Sequence, residues 1–281
     1  MRRLAPTRLL LVPFLALLAL AARQDPAAAK KVELELVYLA NEGFLARVGD
    51  AKLLIDAFVT KPYSIYAAVP AELQAKLIGG EPPFDGLDLA LASHVHADHF
   101  QTSAAAEVLS AHPNLAFVSS PQVIEALRIG LGGDESARFR ELLPESRQTA
   151  ESTHEGIRVE LLRLPHTGGE RTELVQNLGC WIELGGVRLL HVGDADLESA
   201  DLAAYELAQR EIDVALVPYW WLGSPESLAR VKALVGARRL VAMHVPPKEL
   251  EDVRRQLAAL DPEILCFEQA GAAQQLAFDA R

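Results

Sequence analysis

Apolar and polar positions alternate along Val32–Ala40, with Leu34, Leu36 and Tyr38 on one face, the period-2 mark of a half-buried strand. Phe44–Val48 and Lys52–Asp56 read as two further strands, and Asn41-Glu42-Gly43 and Gly49-Asp50 supply the turns between them. The chain therefore opens as an antiparallel meander. Residues 57–86 read as an irregular connection carrying one helix over Pro70–Ile78, closed by Gly79-Gly80 and followed by Pro82-Pro83. Leu87–Ala92 is a short, largely apolar run, as expected of a strand buried on both faces. A helix over Ser103–Ser110, a strand over Asn114–Ser119 and a helix over Pro121–Arg128 come next, Pro being tolerated in a first helical turn. Gly130 to Gly133 are expected to break the chain, and a charged segment runs on to Leu143.

The second half returns to strands. Ile157–Leu164 alternates, and Val175–Leu184 and Val187–Val192 form a hairpin around Gly185-Gly186. Beyond it, helices over Ser199–Gln209, Ser224–Val235 and Pro247–Leu260 alternate with strands over Val214–Val217, Leu240–Met243 and Ile264–Phe267. Two halves of such similar order predict an α/β (α+β) fold. Two mixed β-sheets would pack face to face with helices outside, a four-layer sandwich around one core. No linker interrupts residues 30–281, which are expected to form a single domain.

The N-terminus has a different character. Met1-Arg2-Arg3 and Arg8 precede the apolar run Leu9–Ala22, and both Ala19-Leu20-Ala21 and Ala27-Ala28-Ala29 fit an A-x-A cleavage pattern. The run is shorter than the roughly 20 apolar residues of a membrane span. Residues 1–29 are therefore expected to be a cleavable signal peptide and tether, placing the mature chain in the periplasm or outside the cell. An uncleaved anchor is the competing reading. Export would let Cys180 and Cys266 pair, and two buried free thiols fit their apolar surroundings equally well. With 38 acidic and 27 basic residues the formal net charge is −11, and no basic run stands out. Nucleic acid is thus not an expected partner; a small-molecule substrate is.

Candidate chemistry is concentrated in His94-Val95-His96-Ala97-Asp98-His99, directly after the buried run. Histidines at i and i+2 point the same way and can grip one cation, whereas Asp98 and His99, past the start of a turn, can face a second. Neutral imidazole and carboxylate suit zinc, and also iron or manganese. His166, Asp194 and His244 each follow the end of a predicted strand, where loops build sites on sheets. Asp56 is read as structural and close to the site. His191 is read either as a support for a ligand or as a core histidine satisfied by backbone. One or more of Tyr219-Trp220-Trp221 is expected to border the site, while Phe58, Tyr63 and Tyr66 are expected to pack their own connection, a pocket wall overhanging the site being the competing reading. His112 and His154 lie in polar, turn-like contexts and are expected on the surface.

These residues resemble the metallo-β-lactamase superfamily of metal-dependent hydrolases. The H-x-H-x-D-H signature stands as His94, His96, Asp98 and His99, and the later family positions match His166, Asp194 and His244. Asn41-Glu42-Gly43-Phe44-Leu45 and Leu54-Ile55-Asp56 resemble the family's opening hairpin. The resemblance implies two divalent metal ions, zinc first, with Mn or Fe as alternatives. His94, His96 and His166 would hold one ion and Asp98, His99 and His244 the other, with Asp194 bridging them. Asp98, Asp194 and His244 are the implied catalytic residues. A carboxylate at 194, where some zinc β-lactamases carry Cys, points toward the dinuclear hydrolase branch. A His rather than a Glu at 96 points away from the di-iron oxygen-reducing relatives. Two such ions lower the pKa of a shared water from ~15.7 toward ~7. The expected function is an exported dinuclear hydrolase of a small-molecule ester, phosphodiester, amide or lactone. A β-lactamase, or a non-catalytic metal-binding member of the same fold, is the alternative.

Overall fold

A computed structural model describes residues 31–132 and 137–281. The expected signal segment and tether lie outside the described residues. The first half contributes β1 (Lys31–Ala40), β2 (Gly43–Val48), β3 (Ala51–Ile55), α1 (Ala71–Gly79), β4 (Leu89–Leu91), α2 (Thr102–Ala111), β5 (Ala116–Ser119), α3 (Pro121–Leu131) and β6 (Phe139–Glu141). The second contributes β7 (Thr149–His154), β8 (Ile157–Arg163), β9 (Leu178–Leu184), β10 (Val187–His191), α4 (Ala200–Ala204), β11 (Val214–Pro218), α5 (Pro225–Val235), β12 (Arg239–Met243), α6 (Leu250–Leu260) and β13 (Leu265–Cys266). A last strand, β14 (Ala273–Asp279), returns to the first sheet.

The strands form two seven-stranded sheets, ordered β14-β1-β2-β3-β4-β5-β6 and β13-β12-β11-β10-β9-β8-β7. Each sheet has an antiparallel half and a parallel half. Side chains of the first sheet alternate strictly between two cores, as a pleated strand buried on both faces must. Phe44, Ala46, Leu53, Ile55, Leu89 and Leu91 face the second sheet, in one cluster with Leu161, Ile182 and Leu189. The intervening Leu45, Leu54, Ala90 and Phe117 face the other way, onto Val108 and Leu109 of α2 and Val123 and Ile124 of α3. Leu228 and Val231 of α5 and Val253 and Leu257 of α6 pack with the second sheet. This is the expected sandwich of two mixed sheets with helices outside.

Four local expectations are corrected. The helix foreseen over Ser199–Gln209 stops at Ala204: Tyr205 is buried and its hydroxyl donates to Arg163 O (2.9 Å), and Glu206 turns left-handed (φ 48°) before a short 3-10 turn at Leu207–Gln209. Gly130 does not break its helix; α3 runs through it to Leu131, and the glycine serves close packing, since a Cβ there would collide with Thr102 at the start of α2. His112 is half-buried, its Nε2 2.6 Å from Leu77 O, where it joins the end of α2 to α1. His154 is not in a turn; it ends β7, half-buried, opposite Ile157. Cys180 and Cys266 are free thiols. They sit on β9 and β13 with three strands of one sheet between them, and strand spacing of about 4.8 Å puts them beyond disulfide reach.

Candidate metal centre

β8, β10 and β12 run in one direction in the second sheet, so their C-terminal ends share a rim. His166 follows β8, Asp194 follows β10 and His244 follows β12. The 94–99 segment reaches the same place from the end of β4, where Leu178 N donates to Ser93 O (3.0 Å) and joins the two sheets. Asn177 ties this rim together. Its amide nitrogen donates to Leu164 O (3.2 Å) and Val192 O (3.3 Å), and its oxygen accepts from Asp194 N (3.1 Å). Gly193, between them, has φ 55°, and a Cβ on it would collide with Asn177 Oδ1. Only glycine accepts that conformation beside that amide without strain.

Hydrogen bonds to the far side of three of the imidazoles, those of His94, His99 and His166, fix which nitrogen of each faces inward. Asp56 is central. Its Oδ1 accepts from Ser93 N (2.7 Å), and its Oδ2 accepts from both Ser93 Oγ (2.6 Å) and His99 Nδ1 (2.9 Å). Ser93 Oγ, its proton committed to Asp56, then accepts from His94 Nδ1 (3.0 Å). His166 Nδ1 donates to Thr167 O (2.5 Å). The nitrogens that those bonds leave free are His94 Nε2, His99 Nε2 and His166 Nε2, and all three turn inward. His94 Nε2 and His166 Nε2 lie 3.0 and 3.1 Å from His96 Nδ1. Ring nitrogens converging at such distances crowd one another unless a proton or a cation lies between them, and they are donors that a divalent cation accepts.

Asp194 stands between two such groups. Its Oδ2 is 3.3 Å from His166 Nε2, while Oδ1 is 3.3 Å from His244 Nε2 and 3.5 Å from His99 Nε2. Asp98 Oδ2 completes the second group, 3.3 Å from His244 Nε2 and 3.7 Å from His99 Nε2. Ligand-type atoms of His94, His96, His166 and Asp194 all lie within 4.8 Å of one another, as do those of Glu42, His99, Asp194 and His244. All seven residues singled out by the sequence are thus brought to one rim. Asp194 Oδ1 and His244 Nδ1 are buried without a hydrogen-bond partner, and the donors are the nitrogen and oxygen types that divalent cations accept. The residues fit a metal centre.

The charge pattern agrees. Burial, reinforced by nearby His99, holds the His94 imidazole well below its usual range, so it stays neutral and able to donate a lone pair. Burial alone would lower His99 and His244 as well, but the Asp194 carboxylate and its neighbours outweigh it. His99 is driven well up and His244 to about 9. Burial would raise Asp194; the facing His99 and His244 instead hold it well below the usual carboxylate range. The rim attracts positive charge.

Around this core, Tyr66 meets the His244 ring edge-on at 4.4 Å and Trp220 meets it at 5.0 Å. Trp220 is the member of the 219–221 run that borders the centre. Trp221 is fully buried with Nε1 donating to Ala195 O (2.9 Å), and Tyr219 donates to Glu249 Oε2 (3.2 Å). Tyr66 departs from its expected packing role and lies on the site, unlike Phe58, which is in the core, and Tyr63, which is exposed. His191 is the backbone-satisfied alternative: Nδ1 accepts from Gly193 N (3.2 Å) and Nε2 donates to Glu42 O (3.3 Å). Two residues escaped the sequence reading. Asn41 Nδ2 donates to Asp98 O (2.9 Å), and Glu42, fully buried, faces His99. Both sit in what reads as an ordinary turn, and the signal that could have found them is their place in the Asn41-Glu42-Gly43-Phe44-Leu45 stretch that resembles the family's opening hairpin. Beside the centre, a cavity of about 200 Å³ is lined by Tyr38, Asn41, Ala67, Val245, Cys266 and Phe267.

Comparison with known proteins matches this arrangement. The fold is similar to that of Igni18, a metallo hydrolase from Ignicoccus hospitalis, at 18% identity over 89% of this chain and 100% of that one, with a TM-score of 0.60. A possible metal-dependent hydrolase from Veillonella parvula aligns with a TM-score of 0.64 at 13% identity, again over 89% of this chain and 100% of that one. CmlA, a diiron β-hydroxylase from Streptomyces venezuelae, aligns at 16% identity over 90% of this chain and 55% of that one, with a TM-score of 0.54. Residues 35–244 match the model of the beta-lactamase superfamily domain, and with this sandwich and this rim the chain belongs to that family, the metal-dependent hydrolases of metallo-β-lactamase fold.

Proposed function

We propose that this chain is an exported dinuclear hydrolase that cleaves an ester, phosphodiester, amide or lactone of a small molecule. The observation that carries the reading is the position of Asp194, one oxygen turned to His166 and the other to His99 and His244. In this reading His94, His96 and His166 would hold one ion and Asp98, His99 and His244 the other, and Asp194 would serve both. Zinc is the first choice of metal, with manganese or iron as alternatives. Bound there, paired divalent ions supply Lewis acidity and lower the pKa of a water from ~15.7 toward ~7.

The chain's own residues do the rest. Asp98, held by Asn41 through its backbone carbonyl, accepts a hydrogen bond from the attacking water and orients it. Asp194 and His244 keep the reacting face in register, and Tyr66 and Trp220 close it against bulk solvent on the His244 side. The neighbouring cavity, with Tyr38, Phe267 and Val245 in its wall, suits an apolar group of the substrate. The acidic charge and the absence of a basic run argue for a small molecule rather than nucleic acid.

The test is metal analysis of the purified chain followed by a chromogenic panel. Two ions per chain, with turnover of bis-p-nitrophenyl phosphate or a p-nitrophenyl ester, is the expected result. Turnover of nitrocefin alone would move the assignment to a β-lactamase. Two ions with silence across the panel would favour a non-catalytic metal-binding role. His96→Ala is expected to abolish turnover while the circular dichroism spectrum is kept; retention of both metal and activity would refute the site.

A further inference from the structure

Arg163 is the last residue of β8, and His166 follows three residues later. Both line one cavity of about 710 Å³. The Arg163 Nη1 is shut off from solvent with no hydrogen-bond partner, and the guanidinium makes no ion pair among the described residues. Burial pulls it below its usual range, and the two groups that oppose this, Tyr205 and Glu145, do not make up the loss. Tyr205 is already occupied, its hydroxyl donating to Arg163 O (2.9 Å) and accepting from Arg147 N (3.1 Å). Glu145 stays beyond ion-pair distance. Arginine cannot shed its proton to escape such a place, so its charge is left under-compensated.

The acids of the same cavity are not its partners. Asp201 accepts from Arg147 Nε (2.7 Å) and Ser146 Oγ (2.9 Å), and Asp196 Oδ1 accepts from Glu198 N (3.0 Å). Glu170 and Glu173 are exposed. We propose that Arg163 anchors a carboxylate carried by the substrate, a few bonds away from the group cleaved at the metal rim. The inference rests on the hydrolase reading and names its substrate class. One guanidinium balances one negative charge, and its planar fork matches a carboxylate through two parallel hydrogen bonds. A dianion such as a phosphate monoester would meet Glu170 and Glu173 with no second Lys or Arg among the residues that line the cavity. The spacing is that of a small molecule, since three residues separate the Arg163 and His166 Cα atoms by no more than about 11 Å.

The experiment uses the full chain as wild type, Arg163→Gln and Arg163→Lys, with circular dichroism and melting temperature read first. The Gln variant is expected to melt close to wild type, because the guanidinium has no partner to lose. A variant that melts far lower would mark Arg163 as a structural cation and overturn the assignment. Calorimetry on the EDTA-stripped chain then compares monomethyl adipate, which carries one carboxylate, with neutral dimethyl adipate, so that no metal can take the carboxylate. Wild type is expected to bind the monoanion about tenfold more tightly, the usual effect of a charge-assisted hydrogen bond. The Gln variant loses that difference and the Lys variant keeps part of it. On the Zn²⁺-loaded chain, mono-p-nitrophenyl adipate is preferred over p-nitrophenyl hexanoate through KM, and the ratio collapses in the Gln variant. Equal affinity for the two adipates in wild type, or a preference that survives in the Gln variant, overturns the assignment while turnover of either ester upholds the hydrolase reading. Inorganic phosphate bound more tightly than monomethyl adipate, and lost with Arg163, would also overturn it, marking a site for the free ion. No turnover of either ester with the adipate difference intact would leave the carboxylate anchor standing and remove the hydrolase reading.

Discussion

Asp56 illustrates how a residue that need not touch a metal can decide where one goes. By accepting from Ser93 and from His99 Nδ1 it directs His99 Nε2 inward, and through Ser93 it does the same for His94. Asp56→Asn would present an amide to a ring that needs an acceptor. It is expected to weaken metal binding by about 10–100-fold, the usual effect of losing a support of this kind, as read by competition with a chelator. The titrating groups make a second prediction at this scale. His244 is raised from 6.5 to about 9, so its stabilisation is complete below about pH 6.5 and is lost as pH climbs through 9. Glu42 is raised by burial from 4.5 to about 8, so ionising it between those values costs stability in the same direction. EDTA-treated protein should therefore melt at progressively lower temperature from pH 6 to pH 9, and protein reloaded with Zn²⁺ should not. A flat profile without metal would contradict the charge pattern described for the rim.

At the level of elements, the site is a property of strand ends. The ends of β8 and β10 are held together because Asn177 binds Leu164 O and Val192 O, and Gly193 lets the chain turn beside that amide. Gly193→Ala is expected to destabilise the fold by a few kcal/mol, since it adds a collision to an unfavourable φ. Metal content should fall with it, because Asp194 is the next residue; normal content at unchanged melting temperature would refute the role. The ends of α5 were legible in the sequence. Ser224 accepts from Ser227 N (3.1 Å), Pro225 opens α5, and Gly236 closes it left-handed, all at the predicted boundaries. Ser224→Ala should cost about 1 kcal/mol in denaturant unfolding. The strands that were missed, β6, β7 and β14, are a sheet edge each. β7 reads Thr-Ala-Glu-Ser-Thr-His with no fully buried residue, and β14 is exposed except at Leu276 and Phe278. An edge strand has one partner and little to bury, so it leaves only a faint apolar period.

Across the whole molecule, one core between the sheets carries both halves, and no exposed segment among the described residues replaces it. Leu189→Ala, at the centre of that core, should cost about 2–5 kcal/mol, measured by denaturant titration of the metal-loaded chain. Export is the other prediction at this scale. Expressed from its first residue, the chain should appear in the periplasmic fraction with a new N-terminus just after Ala21 or Ala29, and a full-length membrane-bound product would favour an anchor instead. The sequence by itself determined the sandwich, because strands buried on both faces and capped helices leave apolar periods that need no neighbour to be read. It also singled out the seven ligand-type residues, four by their spacing in the 94–99 cluster and three by their places after predicted strand ends, with the family resemblance joining the two sets. Only the tertiary structure decided which nitrogen of each imidazole turns inward and that Tyr66 reaches His244. It alone put a buried, unpartnered Glu42 against the same rim. Those outcomes depend on hydrogen bonds and contacts between residues as far apart as Asn41 and His244, and distance along a chain carries no trace of them.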